Sequence, residues 1–219
     1  IKGLYIMGEN PMVSDPDLNH VEASLTNLEF LVVQDIFLTE TARLAHVVLP
    51  AVSFAEKDGT FTNTERRVQR VRKAIEPVGQ SRPDREILVA LAGRMGSPMS
   101  YDSAEDVFEE MRSLTPSYGG ITYERIDREG LQWPCPDVEH PGTRYLHRDR
   151  FIRGKGLFHA VEYIPPAELP DKDYPLVLTT GRVLYQYHTA TMTGRCEGLQ
   201  FRHPKGHVEI HERDASAIG

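Results

Sequence analysis

The sequence is poor in the features that most often announce a function. Its only cysteines, Cys135 and Cys196, lie far apart in the chain and form neither a CxxC pair nor a metal-ligand spacing. That argues against a disulfide framework and fits a reducing compartment; a cytoplasmic location is expected, with a periplasmic one left open. No apolar run approaches the roughly 18 residues of a membrane span, and the longest stretches, 30–33 and 47–49, are strand-sized. No GxGxxG follows a strand, which disfavours the usual nicotinamide-dinucleotide fold. A P-loop, an HExxH helix, a nucleophile elbow and diagnostically spaced carboxylates are missing too. No catalytic set can be assembled, so no catalytic or metal-ligating residue is assigned. Acidic residues also outnumber basic ones, 32 to 25. The formal net charge is −7, and the one basic block runs over 65–73. Nucleic acid is therefore not the expected partner; the block reads as a solvated face or an ion-pairing strip.

What is present suits a soluble globular protein. Hydrophobic residues make up 40% and charged residues 26% of the 219, enough to bury an ordinary core. The chain opens Ile1-Lys2-Gly3 without an initiator Met or signal segment and stops at Ala217-Ile218-Gly219, where a helix would be ending. Both ends are expected to be cuts through a longer protein.

Short apolar runs alternate with helix-like stretches over the first hundred residues. Strands are predicted at 3–7, 28–33 (closed by Gln34-Asp35) and 47–50. Between them, a helix is expected over 17–28, capped by Ser14 or Asp15 with Pro16 in its first turn, and a short one through Arg43, capped by Thr39. This alternation implies a parallel sheet with crossover helices. Residues 57–63 are turn-rich and read as a functional loop. Asp84 is expected to cap a helix from Arg85 to about residue 95, with Ile87, Leu88, Leu91 and Ala92 at helical spacing, and another helix covers 103–114. Residues 115–173 read as an irregular connection, with a short strand or two near 157–163. A new domain opens at 174–180 as a strand entering a polar turn, followed by a strand at 207–211 and a helix start.

Ligands of open α/β sheets bind beyond the carboxyl ends of the strands. Gly8-Glu9-Asn10 and Gln34-Asp35 occupy such ends. Asp35 could accept from a ribose hydroxyl or a purine amine, while Asn10 and Gln34 both donate and accept. The alternative is that these side chains only cap helices and close turns. The segment 180–195 is dense in donors, and Arg182 can grip phosphate in a bidentate way while Gly181 lets the backbone approach. It could equally be a polar loop. His188 has no second ligand nearby, so a metal role is not assigned. Lys57, beside Gly59, could hold a pyrophosphate as a point charge.

Several stretches together resemble the molybdopterin oxidoreductase family, whose catalytic subunits bind bis(molybdopterin guanine dinucleotide). Gly8-Glu9-Asn10-Pro11, the run from Val33-Gln34-Asp35-Ile36-Phe37 to Ala42, Val47-Val48-Leu49-Pro50, the run from Glu56-Lys57-Asp58-Gly59 to Gln69, and Arg82-Pro83-Asp84 are similar to the third domain of that family. The segment from Thr180 to Thr189 looks like the opening of its fourth. Gln34-Asp35-Ile36-Phe37 and Asn63-Thr64-Glu65-Arg66-Arg67-Val68-Gln69 look most like formate dehydrogenases, whereas the Thr-Gly-Arg segment and the Glu-Lys-x-Gly loop are shared with nitrate reductases.

The resemblance implies an α/β fold: a Rossmann-like parallel-sheet domain at 1–114, the irregular connection at 115–173, and at 174–219 the truncated start of a β-barrel-type molybdopterin dinucleotide-binding domain. It implies that Asn10, Gln34, Asp35, Lys57 and Asp84 contact one pterin–guanine dinucleotide. Thr180, Gly181, Arg182, Val183, Leu184, Tyr185, Gln186, Tyr187, His188 and Thr189 would run along the cofactor. Molybdenum or tungsten would be the metal, and a 4Fe-4S cluster would be held by residues outside this chain. The missing N-terminal half of the polypeptide, formate and electron-transfer subunits are the implied partners. A related molybdopterin enzyme such as nitrate reductase, and a non-catalytic nucleotide-binding module, are the alternatives.

Overall fold

A computed structural model describes all 219 residues. β1 (Gly3–Met7), α1 (Pro11–Ser14), α2 (Leu18–Thr26), β2 (Phe30–Asp35), α3 (Glu40–Arg43) and β3 (Val47–Pro50) form the first layer pair. The three strands are parallel in the order β1-β2-β3, the arrangement that strand–helix alternation predicts. Ile6, Leu31 and Val33 point to one face and bury against Leu25 of α2 and Ala42 of α3. Period-2 alternation puts Tyr5, Met7, Val32 and Gln34 on the other face.

The helix expected over 17–28 begins later than expected. Asp17, not Ser14 or Asp15, is its N-cap, and its side chain accepts from the His20 N–H. Pro11 starts the separate turn α1 instead, a first-turn position that lacks nothing by having no N–H. Gln34 and Asp35 lie within β2 rather than after it, because their backbones pair with Leu49 and Pro50 of β3.

The stretch expected as a functional loop at 57–63 is largely strand. β4 (Gly59–Thr62) pairs antiparallel with β5 (Arg67–Val71). Thr60, Phe61 and Thr62 are residues that suit a pleated surface, and Asn63 closes the turn by accepting from the N–H groups of Glu65 and Arg67 at 3.1 and 2.9 Å. α4 (Asp84–Arg94) and α5 (Ala104–Leu114) follow. Asp84 is the first helical residue, not the cap, since its carboxylate is engaged elsewhere. The apolar positions predicted for α4 are formed, but none is buried.

β6 (Leu131–Gln132) pairs with β5. Residues 116–143, mostly irregular in backbone, pack Ile121, Tyr123, Ile126 and Cys135 against Val68 of β5 and Phe108 of α5 in a second core. The basic block pins this segment down. Arg66 donates to the carbonyls of Trp133, Thr143 and Arg144, Arg67 to Gly130, and Arg72 to Asp127. The 65–73 block is thus neither a purely solvated face nor mainly an ion-pairing strip: most of its long-range partners are backbone carbonyls of this chain, with ion pairs of Arg67 to Glu65, Arg72 to Asp127 and Lys73 to Glu76 beside them.

The strands expected at 157–163, 174–180 and 207–211 are not formed. These segments run without a neighbour to complete a ladder, and a strand with no partner leaves its N–H and C=O groups to water. The last region contains a 3-10 turn at Thr193–Arg195, α6 (Glu197–Arg202) and α7 (Glu212–Ile218).

Candidate functional site at the strand ends

Two polar networks converge at the carboxyl ends of β1–β3. The first is a chain of four side chains. The Tyr5 hydroxyl donates to Gln34 Oε1, Gln34 Nε2 donates to Asp84 Oδ1 at 2.7 Å, and Lys57 Nζ pairs with Asp84 Oδ2. Asp84 reaches this position because Arg82 docks on the end of β3. Its N–H donates to the Pro50 carbonyl at 3.1 Å, and Ala51 and Arg82 form an isolated parallel bridge. Gln34 is fully buried, whereas Lys57 and Asp84 remain about one-third exposed at 29% and 31%. Burial raises the Tyr5 phenol above its ordinary pKa, and the Asp84 charge adds to the effect.

The second network centres on Asn10, which is buried. Its Oδ1 accepts from the Thr41 hydroxyl at 2.8 Å and the Thr41 N–H at 3.2 Å. Its Nδ2 donates to Glu40 at 2.9 Å and to the Thr191 hydroxyl at 3.2 Å. The amide therefore ties α1 and α3 to the C-terminal segment. Asn10 is also the first cause holding the Glu40 carboxyl below the usual glutamate range. Asp35 turns back on its own strand end, accepting from the Ile36 N–H at 2.6 Å. Burial raises its pKa, outweighing that hydrogen bond, a weaker one from Phe37 and the charge of Arg195.

The C-terminal segment closes over these ends. Arg195 lies over the Phe37 ring at 4.9 Å and donates to the Thr191 carbonyl. A cleft of about 1270 Å³ opens between this segment and Glu40 of α3, with Arg182, Thr189, Arg195 and Lys205 in its wall. It exceeds the roughly 300–1,000 Å³ common for small-molecule sites. Cationic and hydroxyl donors of this kind suit a large polyanion.

The structure thus joins Gln34, Lys57 and Asp84 in one network and puts Asn10 in another, with Asp35 beside both. Gly181, Arg182, Val183, Gln186, His188 and Thr189 line the cleft; Thr180, Leu184, Tyr185 and Tyr187 do not. Tyr5, Glu40, Thr191, Arg195 and Lys205 are additions that the sequence reading did not select. Arg195 lay within the donor-rich segment and could have been chosen on its chemistry. Tyr5 carried no such signal, because its approach to Gln34 depends on strand register. No group of three or more His, Cys, Asp or Glu side chains is arranged to hold a metal ion, and no helix is long and apolar enough to cross a membrane.

Comparison with known proteins agrees with this organisation. Residues 1–94 match the model described as molybdopterin oxidoreductase, and residues 176–219 match the molydopterin dinucleotide binding domain. The F420-dependent formate dehydrogenase subunit alpha of Methanocaldococcus jannaschii is 55% identical over all of this chain and 33% of its own length. Formate dehydrogenase H of Escherichia coli is 37% identical over all of this chain and 32% of its own. The assimilatory nitrate reductase catalytic subunit of Bacillus subtilis is 42% identical over 99% of this chain and 32% of its own. The chain spans about a third of the length of these curated relatives. One family model thus lies on the α/β layer and the other on the segment that closes over its strand ends, so over these two stretches the chain is similar to molybdopterin oxidoreductases and their dinucleotide-binding domain.

Proposed function

We propose that this chain is the cofactor-holding part of a formate dehydrogenase catalytic subunit. The observation that carries the reading is the convergence of Asn10, Thr191 and Arg195 beside the cleft, where a polar strand end meets a donor-rich segment. The residues fit a molybdopterin guanine dinucleotide. Arg182, Arg195 and Lys205 would take its phosphates, Thr189 would donate to its oxygens, and Asp84, with Lys57, would meet the guanine or ribose from the strand ends outside the cleft. When bound, the pterin-ligated molybdenum or tungsten supplies the two-electron redox chemistry. This chain's contribution is to orient the cofactor and balance its charge. A 4Fe-4S cluster, the metal-ligating side chain and the formate pocket belong to the rest of the polypeptide, and electron-transfer subunits would receive the electrons.

The identity to formate dehydrogenase alpha subunits over the full chain supports formate as the substrate of the whole enzyme. The nitrate reductase relative supports a second reading with the same cofactor. The complete subunit, purified with its cofactor, should reduce a viologen dye with formate and should not oxidise reduced viologen with nitrate. The reverse pattern would transfer the assignment to nitrate reduction. Absence of any bound pterin would leave the non-catalytic nucleotide-binding module.

A further inference from the structure

We propose that Tyr5 is a positioning residue for the candidate dinucleotide site, acting through Gln34 to fix the Asp84 carboxylate. The inference rests on the reading of Asp84 as a ligand-facing group.

The geometry fixes the direction of each hydrogen bond. An ionised carboxylate only accepts, so the Gln34 group facing Asp84 at 2.7 Å must be its NH₂. The Gln34 carbonyl oxygen then faces Tyr5, and the Tyr5 hydroxyl must be the donor. Gln34 is fully buried, so its side chain acts on a ligand only through its two partners, Tyr5 and Asp84. Lys57 holds the second Asp84 oxygen from the exposed side. Asp84 is thus held on one oxygen by the neutral Gln34 amide and on the other by Lys57, and the amide is what couples its orientation to Tyr5. A partly exposed carboxylate held in one orientation can accept two parallel N–H bonds from a guanine edge, which adenine does not offer at the same positions.

Removing the Tyr5 hydroxyl leaves the buried Gln34 oxygen without a donor. Its amide then keeps only the contacts of its NH₂ group with Asp84 and the Met7 sulfur, so its plane is less constrained and Asp84 is less firmly oriented without losing its charge. Tyr5 therefore affects ligand binding through Gln34, with no ligand contact of its own required.

The test is calorimetric titration of GDP, standing for half of the dinucleotide, into the complete catalytic subunit prepared without cofactor. The variants are Tyr5→Phe, Asp84→Asn, Gln34→Leu and the Tyr5→Phe/Gln34→Leu pair, each checked for an unchanged circular dichroism spectrum. We expect Tyr5→Phe and Asp84→Asn each to raise the Kd for GDP about tenfold, with Tyr5→Phe adding nothing once Gln34 is Leu. If Asp84→Asn weakens binding and Tyr5→Phe does not, Tyr5 merely fills space; the inference is overturned and the proposed site stands. A Tyr5→Phe effect that persists beside Gln34→Leu overturns it as well, because the hydroxyl then does not act through the amide. If neither single variant changes the Kd, the reading of Asp84 fails, and the inference with it.

Discussion

Asn10 Nδ2 donates to the Thr191 hydroxyl at 3.2 Å across 181 residues of sequence. The same amide serves Thr41 and Glu40, so one buried side chain links a strand end, a helix start and the C-terminal segment. A buried amide with every partner inside the protein is expensive to disturb.

Asn10→Ala should lower stability by about 2 kcal/mol, because the Thr41 N–H and hydroxyl lose their buried acceptor. Asn10→Asp should be worse at neutral pH, where a carboxylate would stand against Glu40, and should recover on acidification. Urea denaturation of each variant at two pH values measures both effects. An Asn10→Asp deficit independent of pH would exclude repulsion as its cause.

Arg195 combines three contacts: it lies over Phe37, donates to the Thr191 carbonyl and lines the cleft. Arg195→Ala should weaken binding of an anionic dinucleotide in the complete subunit about tenfold or more, the scale of one lost charge-assisted hydrogen bond. Arg195→Lys should recover only part, since an ammonium keeps the charge but not the planar stacking. Cofactor content per polypeptide, measured as GMP released by acid, reports this without an activity assay.

Glu56 accepts from the Ser53 N–H at 2.7 Å and the Val78 N–H at 2.8 Å. The Ser53 N–H is the main cause, with the Ser53 hydroxyl and the Val78 N–H adding to it, of a carboxyl held below the usual glutamate range. A lowered folded-state pKa gives stability that is complete above the unfolded value and is lost as pH falls through the folded one. The contribution should therefore be whole at neutral pH and decline below about pH 4. Glu56→Gln should cost stability at pH 7, and the gap to the parent should narrow in acid. Melting curves from pH 7 to pH 3 measure it; a gap that widens in acid would be the wrong sign.

A Cβ on Gly120 would lie 1.8 Å from the Asp137 carbonyl oxygen, with backbone rather than a movable side chain in the way. Gly120→Ala should destabilise the second core by about 3 kcal/mol or more. Gly181→Ala has open space around it and should leave stability near the parent value. Comparing the two denaturation midpoints tests whether the 116–143 segment packs as described.

The sheet was legible in the sequence because its strands are short apolar runs closed by polar residues, and Thr39 announced α3 by its capping chemistry. The hairpin at 59–71 was not, since Gly59 and the Asn63 turn resemble a loop until the pairing of Phe61 with Gln69 is known. The basic block was ambiguous for a similar reason. Its partners at 127–144 are distant in sequence and are mostly backbone carbonyls, which no residue pattern reveals. In the candidate site, Asn10, Gln34, Lys57 and Asp84 were visible as polar groups at strand and helix boundaries, but their linkage was not.

The sequence by itself determined the alternation of strands and helices and the donor-rich composition of the segment after residue 179, because these depend on residue type and local spacing. Only the tertiary structure decided that Gln34 is buried beneath Asp84, that Tyr5 holds it there, and that Arg195 closes over Phe37. Those relations depend on strand register and on the docking of Arg82 at the end of β3, where one residue of slip would turn each side chain to the opposite face.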